Sequence, residues 1–249
     1  MTNDLFKNGI FVIHALQGYE FHEKRIIQLF KKNNLSFQFV TEGDPSLFNQ
    51  EKIDTYFTKN IHTILSKGTL SCTLNHIYAY EKIVLNQIQY AIIFENDPYF
   101  LGNFTQDITS YFAEIEKLPK GFILSLENGT LRFPSFWQTK KNKHIYAAKS
   151  GRNAGAYLID LKGAKKILED LKTNKCHTVI DWWHNSLIER GVLKMYWAHP
   201  ALVEQGSHNG MLHSTISTKP SNLKRRISWN IQKFYKSYIK RFFDEKNIV

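Results

Sequence analysis

The segment at residues 90–100, Y-A-I-I-F-E-N-D-P-Y-F, constrains this chain more than any other. Four apolar residues, 91–94, run straight into two carboxylates, Glu95 and Asp97. Pro98 follows, and because it has no N–H to give a ladder it predicts the end of regular pairing. A run this short, apolar on both faces, predicts a buried central strand of an α/β sheet. Such sheets bind ligands beyond the carboxyl ends of their strands. Residues i and i+2 of an extended segment point the same way, so Glu95 and Asp97 are expected side by side. Adjacent carboxylates repel unless a cation lies between them, and hard oxygen ligands suit Mg²⁺ or Mn²⁺. An acidic pair that simply faces water is the other reading, and E-N-D alone does not choose between them.

The rest of the chain supplies the sheet that such a strand needs. Residues 9–13 read as a first buried strand, 20–32 as an amphipathic helix and 36–40 as a second strand. This β-α-β opening predicts a parallel pair and a Rossmann-like half. Residues 44–67 read as short helices and loop. A long helix is expected from Gly68 to about residue 87, leading directly into the central strand. A helix at 105–118, a strand at 121–127 ending in Glu127, and an irregular aromatic loop at 128–143 follow. A strand at 154–159, helices at 161–171 and 179–189, a strand at 193–198 and a histidine-bearing loop at 199–217 complete the expected body. The expectation is therefore a single α/β Rossmann-type domain over residues 1–217, with a mostly parallel central sheet and a C-terminal tail at 218–249.

Bulk properties narrow the class. At 249 residues and 43% hydrophobic content the chain can bury a real core. Its longest apolar runs, about five residues, fall far short of the roughly 20 that a membrane-spanning helix needs. The N-terminal residues lack the regions of a signal peptide, and Cys72 and Cys176 lack a metal-site spacing, so reduced thiols in a cytoplasmic protein are expected. The net charge of +11 is uneven. Residues 219–246 hold nine Lys or Arg against Asp244 and Glu245, a net of +7.

Five separated segments resemble glycosyltransferase family 25, the bacterial lipooligosaccharide-type transferases. K-G-T-L-S-C-T-L-N-H at 67–76 is similar to that family's K-G-E-x-G-C-x-x-S-H helix start. I-I-F-E-N-D at 92–97 resembles its I-L-E-D-D strand end. A-Y-L-I at 156–159 with Lys162, Gly163 and Ala164 resembles its A-Y-x-I-x-x-x-G-A unit. V-I-D-W-W at 179–183 and H-P-A-L-V-E-Q at 199–205 resemble its P-x-D-x-x and P-x-L-V-x-Q pair. The ordered set spans about residues 9–216. Asn96 stands where the family commonly has Asp and Asn75 where it commonly has Ser; the outer carboxylates are intact.

The resemblance implies a GT-A-type inverting enzyme that moves a sugar from UDP-galactose or UDP-glucose to a lipid-linked oligosaccharide. It implies Asp97 as ligand of the Mn²⁺ or Mg²⁺ that bridges the diphosphate, with Glu95 at the ribose or the metal. His208, or His213 after it, is the expected histidine ligand. Gly68 and His76 are expected to approach the donor. A base must take the acceptor proton, and Asp181 is the first choice, with Glu127 as its rival. Trp182 or Trp183 would stack on a sugar ring. Beside these stand plainer roles: a helix-start carboxylate for Asp181, a solvated strand-end acid for Glu127, a packed core histidine for His76 and surface loop histidines for His208 and His213.

Between residues 222 and 243, Ile227, Ile231, Phe234, Tyr238 and Phe242 recur at three- and four-residue spacing among Lys and Arg. This predicts a basic amphipathic helix at the inner face of the cytoplasmic membrane. Docking on the chain's own domain or a second subunit is the alternative, and the oligomeric state is not expressed in the pattern. So apolar a face argues against nucleic acid.

Overall fold

The computed structural model describes residues 5–129, 132–209, 211–212 and 223–243. In chain order the elements are β1 (Ile10–Ile13), α1 (Glu20–Lys32), β2 (Gln38–Val40), α2 (Gln50–Tyr56), α3 (Ile61–Ile64), α4 (Lys67–Leu85), β3 (Tyr90–Phe94), β4 (Pro98–Phe100), α5 (Phe104–Ile115), β5 (Phe122–Ser125), β6 (Ile145–Ala148), β7 (Ala156–Asp160), α6 (Leu161–Leu171), α7 (Ile180–Glu189), β8 (Lys194–Ala198), β9 (Val203–Gln205), α8 (Gly206–Asn209) and α9 (Leu223–Phe234). A π-helical segment, Tyr235–Lys240, and a last turn, α10 (Arg241–Phe243), complete them.

Seven strands form one sheet in the order β2-β1-β3-β7-β5-β8-β6. Strand β3 lies in its middle region, and residues 91–94 are fully buried. Alternation splits them between two cores. Ala91 and Ile93 pack with α4, α6 and α7 on one face. Ile92 and Phe94 pack with α1 and α5 on the other. A strand covered on both faces cannot alternate apolar with polar, which is why its sequence reads as a solid run.

The sheet is mixed, which corrects the expectation of a mostly parallel one. Strand β1 pairs parallel with β2 and β3, and β5 with β8. Strand β7 runs antiparallel to both of its neighbours, β3 and β5, and β6 antiparallel to β8. Apolar patterning identifies a buried strand but carries no sign of its direction. Strand β6 was expected as neither strand nor helix; its four residues are too few to show a period.

Pro98 also behaves differently from expectation. It ends the central strand but opens β4, which pairs antiparallel with β9 with Pro98 opposite Gln205. As first residue of its strand, Pro98 has no ladder donor to supply. The stretch expected to be loop at 199–217 thus holds a strand and a short helix, and Gly206 N donates to Asp97 O at 2.8 Å. The expected boundary at 217/218 falls outside the described residues.

Two caps show why the helices start where they do. The Ser66 hydroxyl accepts from Thr69 N at the head of α4. Asp160 caps α6 through Gly163 N and also accepts from Gly121 N and Phe122 N, joining β7, α6 and β5 at one carboxylate. The tail helix α9 leaves Ile227, Ile231 and Phe234 exposed. Further on, the Phe242 ring stacks on Phe136 at 4.5 Å and Arg241 Nε donates to Pro134 O at 2.9 Å. Lys233 pairs with Glu204. No helix among the described residues is long and apolar enough to cross a membrane.

Candidate active site

The chain leaves β1 toward β2 on one side and returns to β3 on the other. The carboxyl ends of β1 and β3 are therefore the topological switch point, where an open α/β sheet forms its ligand crevice. A small cleft opens there, lined among others by His14, Tyr19, Gly68, Cys72, Glu95 and Asn96. Gly68 sits in the exposed first turn of α4, where backbone N–H groups favour an anion. Asn75, the departure in the first family motif, accepts from Gly43 N at 2.7 Å and donates to His14 O at 3.2 Å. It ties the loop after β2 to the end of β1 and so shapes the cleft wall.

Glu95 is held on several sides. Its N–H donates to Gly155 O at 2.9 Å, and its Oε2 accepts from Gln205 Nε2 at 2.9 Å. Its Oε1 lies 3.7 Å from His76 Nε2 and 3.8 Å from Cys72 Sγ. Asp97 is buried, its Oδ2 accepts from Ser207 N at 2.9 Å, and its buried Oδ1 has no hydrogen-bond partner. A buried carboxylate oxygen without a donor is costly, and this donor chemistry fits a hard divalent cation.

The other expected site residues fall in different surroundings. His76 is fully buried, with Nδ1 2.8 Å from the Tyr157 hydroxyl, and burial pushes its pKa down to about 3. It lies beneath Glu95 rather than in the open cleft. Asp181 is half-buried in the first turn of α7, and its charge is felt by both Cys72 and His76, so the fold brings it to the Glu95 end of the sheet. His208 lies in α8, but its side chain is outside the described residues, as is the whole of His213. Trp182 and Trp183 part company: Trp182 is 67% exposed and Trp183 1%, so only the former is open to a ligand. We expect Trp183→Ala to cost about 3–5 kcal/mol of stability in denaturant unfolding. Trp182→Ala should stay within about 0.5 kcal/mol of the parent; equal destabilisation by both would contradict the assignment.

Glu127 is not a solvated strand-end acid. It is fully buried, accepting from Gly155 N at 2.9 Å and Asn153 Nδ2 at 3.3 Å. Burial first, then the charges of Glu95 and Asp97, push its pKa from 4.5 to about 8. The folded protein therefore keeps a proton that the unfolded chain releases above about pH 4.5. The stability from this group falls as pH rises through the window from 4.5 to about 8. Glu127→Gln should match the parent near pH 5 and exceed it at pH 8 by roughly 2–4 kcal/mol. Parallel stability curves for the two proteins across that range would refute the assignment.

Two residues that carry this arrangement were assigned no role from sequence. Asn153 bridges Glu127 and Gln205, and Gln205 reaches Glu95. At Gly155 a Cβ would lie 2.4 Å from the Gln205 side chain, so a larger residue there would displace Gln205 from Glu95. The signal for Gln205 was present in its quoted motif; for Asn153 there was none.

Comparison with known proteins bears directly on this geometry. Residues 10–182 match the sequence profile of glycosyltransferase family 25 (LPS biosynthesis protein), well over half of the chain. The chain belongs to glycosyltransferase family 25. Among relatives of this family 25 chain is the "Putative glycosyltransferase" of Haemophilus influenzae strain Rd, 28% identical over 164 residues, 64% of this chain and 56% of the relative. A second, the "Lipooligosaccharide biosynthesis protein lic2B" of Haemophilus influenzae, is 27% identical over 133 residues, 53% of this chain and 48% of the relative. The matched part thus spans about half the length of each relative.

Proposed function

We propose that this family 25 chain is a GT-A-type inverting glycosyltransferase that moves a hexose from a UDP-sugar, galactose first and glucose next, to a lipooligosaccharide or lipopolysaccharide acceptor. The observation that carries the reading is the carboxylate pair Glu95 and Asp97 at the switch point of a family 25 sheet. The donor diphosphate would lie in the cleft near Gly68, at the N-terminal end of α4. Asp97 and Glu95, with His208 as the proposed third ligand, would hold Mn²⁺ or Mg²⁺. Such a cation stabilises the charge that develops on a departing diphosphate.

The remaining work falls to the chain's own side chains. Gln205 and the Gly155 carbonyl hold Glu95 in place. Asp181 takes the proton of the attacking acceptor hydroxyl, and exposed Trp182 beside it offers an apolar face to the acceptor ring. Glu127, buried and raised to about 8, is the weaker base at neutral pH, because it already holds its proton. The exposed apolar face of α9 with its Lys and Arg would place the protein on the inner face of the cytoplasmic membrane, where a lipid-linked acceptor is met.

The test is transfer itself. With a truncated lipooligosaccharide and each UDP-sugar in turn, one donor should extend the acceptor by a single hexose, and NMR of the product should show an inverted anomeric centre. Retention would overturn the mechanism. Tight UDP binding without transfer to any such acceptor would favour a non-catalytic nucleotide- or glycan-binding protein, the reading that Asn96 in the acidic motif supports.

A further inference from the structure

Cys72 and His76 stand one helical turn apart on α4, and the end of β3 brings Glu95 against both. The thiol, imidazole and carboxylate ligand atoms all lie within 4.8 Å of one another, the one such group of three among the described residues. His76 Nε2 is fully buried and has no hydrogen-bond partner, a state that protein interiors seldom leave without a reason.

The hydrogen bonds behind His76 are compatible with a metal ligand. Its Nδ1 is 2.8 Å from the Tyr157 hydroxyl, which is 2.6 Å from the Tyr80 hydroxyl, which is 2.7 Å from His184 Nε2. The relay pairs fully in either direction; where each group donates to the next, from His76 through Tyr157 and Tyr80 to His184, the rings are neutral and every link has one donor and one acceptor. His76 Nε2 is then a lone pair that faces the Glu95 Oε1 oxygen at 3.7 Å. A lone pair against an anionic oxygen is stable with a cation between them. Gln205 occupies Glu95 Oε2, so Oε1 is the oxygen turned toward Cys72 and His76.

We propose that Cys72 Sγ, His76 Nε2 and Glu95 Oε1 bind a thiophilic divalent cation, zinc above all, with its fourth position open to the cleft. One sulfur, one imidazole and one carboxylate form a softer set than the all-oxygen pair expected to hold Mn²⁺ or Mg²⁺. Three protein ligands with one open position match zinc sites that keep a place for an exchangeable ligand. Bonds of about 2.0–2.3 Å at tetrahedral angles put ligand atoms about 3.5 Å apart; Glu95 Oε1 is already 3.7 Å from His76 Nε2 and 3.8 Å from Cys72 Sγ, and the group as a whole, within 4.8 Å, closes the remainder on binding. Without the cation, Cys72 is a thiol whose S–H is directed at Glu95 Oε1 at 3.8 Å. Binding therefore replaces the S–H bond with an S–metal bond and releases one proton to water. Thiolate, carboxylate and dication sum to zero charge, which suits a half-buried position. Glu95 would then be withdrawn from a bound donor. That inhibition rests on the proposed function; the binding does not.

Cobalt titration of the full chain tests the site without any activity assay. One equivalent of Co²⁺ should give a near-ultraviolet thiolate-to-cobalt charge-transfer band and release one proton, and Zn²⁺ should erase the band. Cys72→Ser should lose the band and bind at least the about 10–100-fold more weakly that loss of even an outer-shell partner costs. Cys176→Ser should keep it. Glu95→Gln, which leaves the thiol in place, should shift the band and weaken binding. No band in the parent protein, or one that survives Cys72→Ser, would overturn the proposal.

Discussion

Replacing Asp97 by Ala is expected to cost at least about 100-fold in hexose transfer, roughly 3 kcal/mol of transition-state stabilisation at about 1.4 kcal/mol per tenfold. The size follows from burial. Asp97 is 5% exposed and presents an oxygen with no hydrogen-bond partner, so a charge placed against it is poorly screened by water. The carboxylate also accepts from Ser207 N, and its loss will loosen the turn into α8. Asp97→Asn separates the two effects, because the amide oxygen can still accept that bond while the charge is gone. The expected result is an Asn variant with near-parental melting temperature and transfer reduced almost as far as in the Ala variant. Near-parental transfer by the Asn variant would show that Asp97 acts through the turn and not through charge.

Asp181→Asn is expected to lower kcat by about 10²–10⁴, the usual range for loss of a general base, with donor binding close to unchanged. Asp181 sits in the first turn of α7, where the helix dipole favours its carboxylate. The effect of Glu127→Gln on kcat at neutral pH should be smaller, because that carboxyl is raised to about 8 and is sealed behind Gly155 and Asn153. A larger fall in kcat for Glu127→Gln than for Asp181→Asn would exchange the two roles. Such a result would require the acceptor to reach a residue with no exposed surface.

Residues 90–97 show why part of this site could be read directly from the chain. Burial on both faces demands a solid apolar run, and the switch from Phe94 to Glu95 marks the sheet's edge. Local patterning and the β-α-β opening placed β1, α1, α4 and β3 close to their observed positions. The direction of β7 was not legible, since an antiparallel and a parallel buried strand bury the same side chains. Nor was the support of Glu95: its bond to Gln205 joins residues 110 positions apart, and no periodicity connects them. His76 reads as a donor contact when its motif is set beside the family's, yet tertiary packing puts Glu95 between it and the cleft. Trp182 and Trp183 are adjacent and chemically identical, and only the helix rotation decides which one meets solvent.

The most direct test of the central claim is UDP release from a panel of UDP-sugars with Mn²⁺, with chelator, and with Asp97→Ala. The account predicts metal-dependent turnover of one UDP-hexose by the parent protein, lost on chelation and lost in the variant. Turnover that persists in chelator and in Asp97→Ala would contradict it, and so would a parent protein that neither binds UDP nor releases it from any donor.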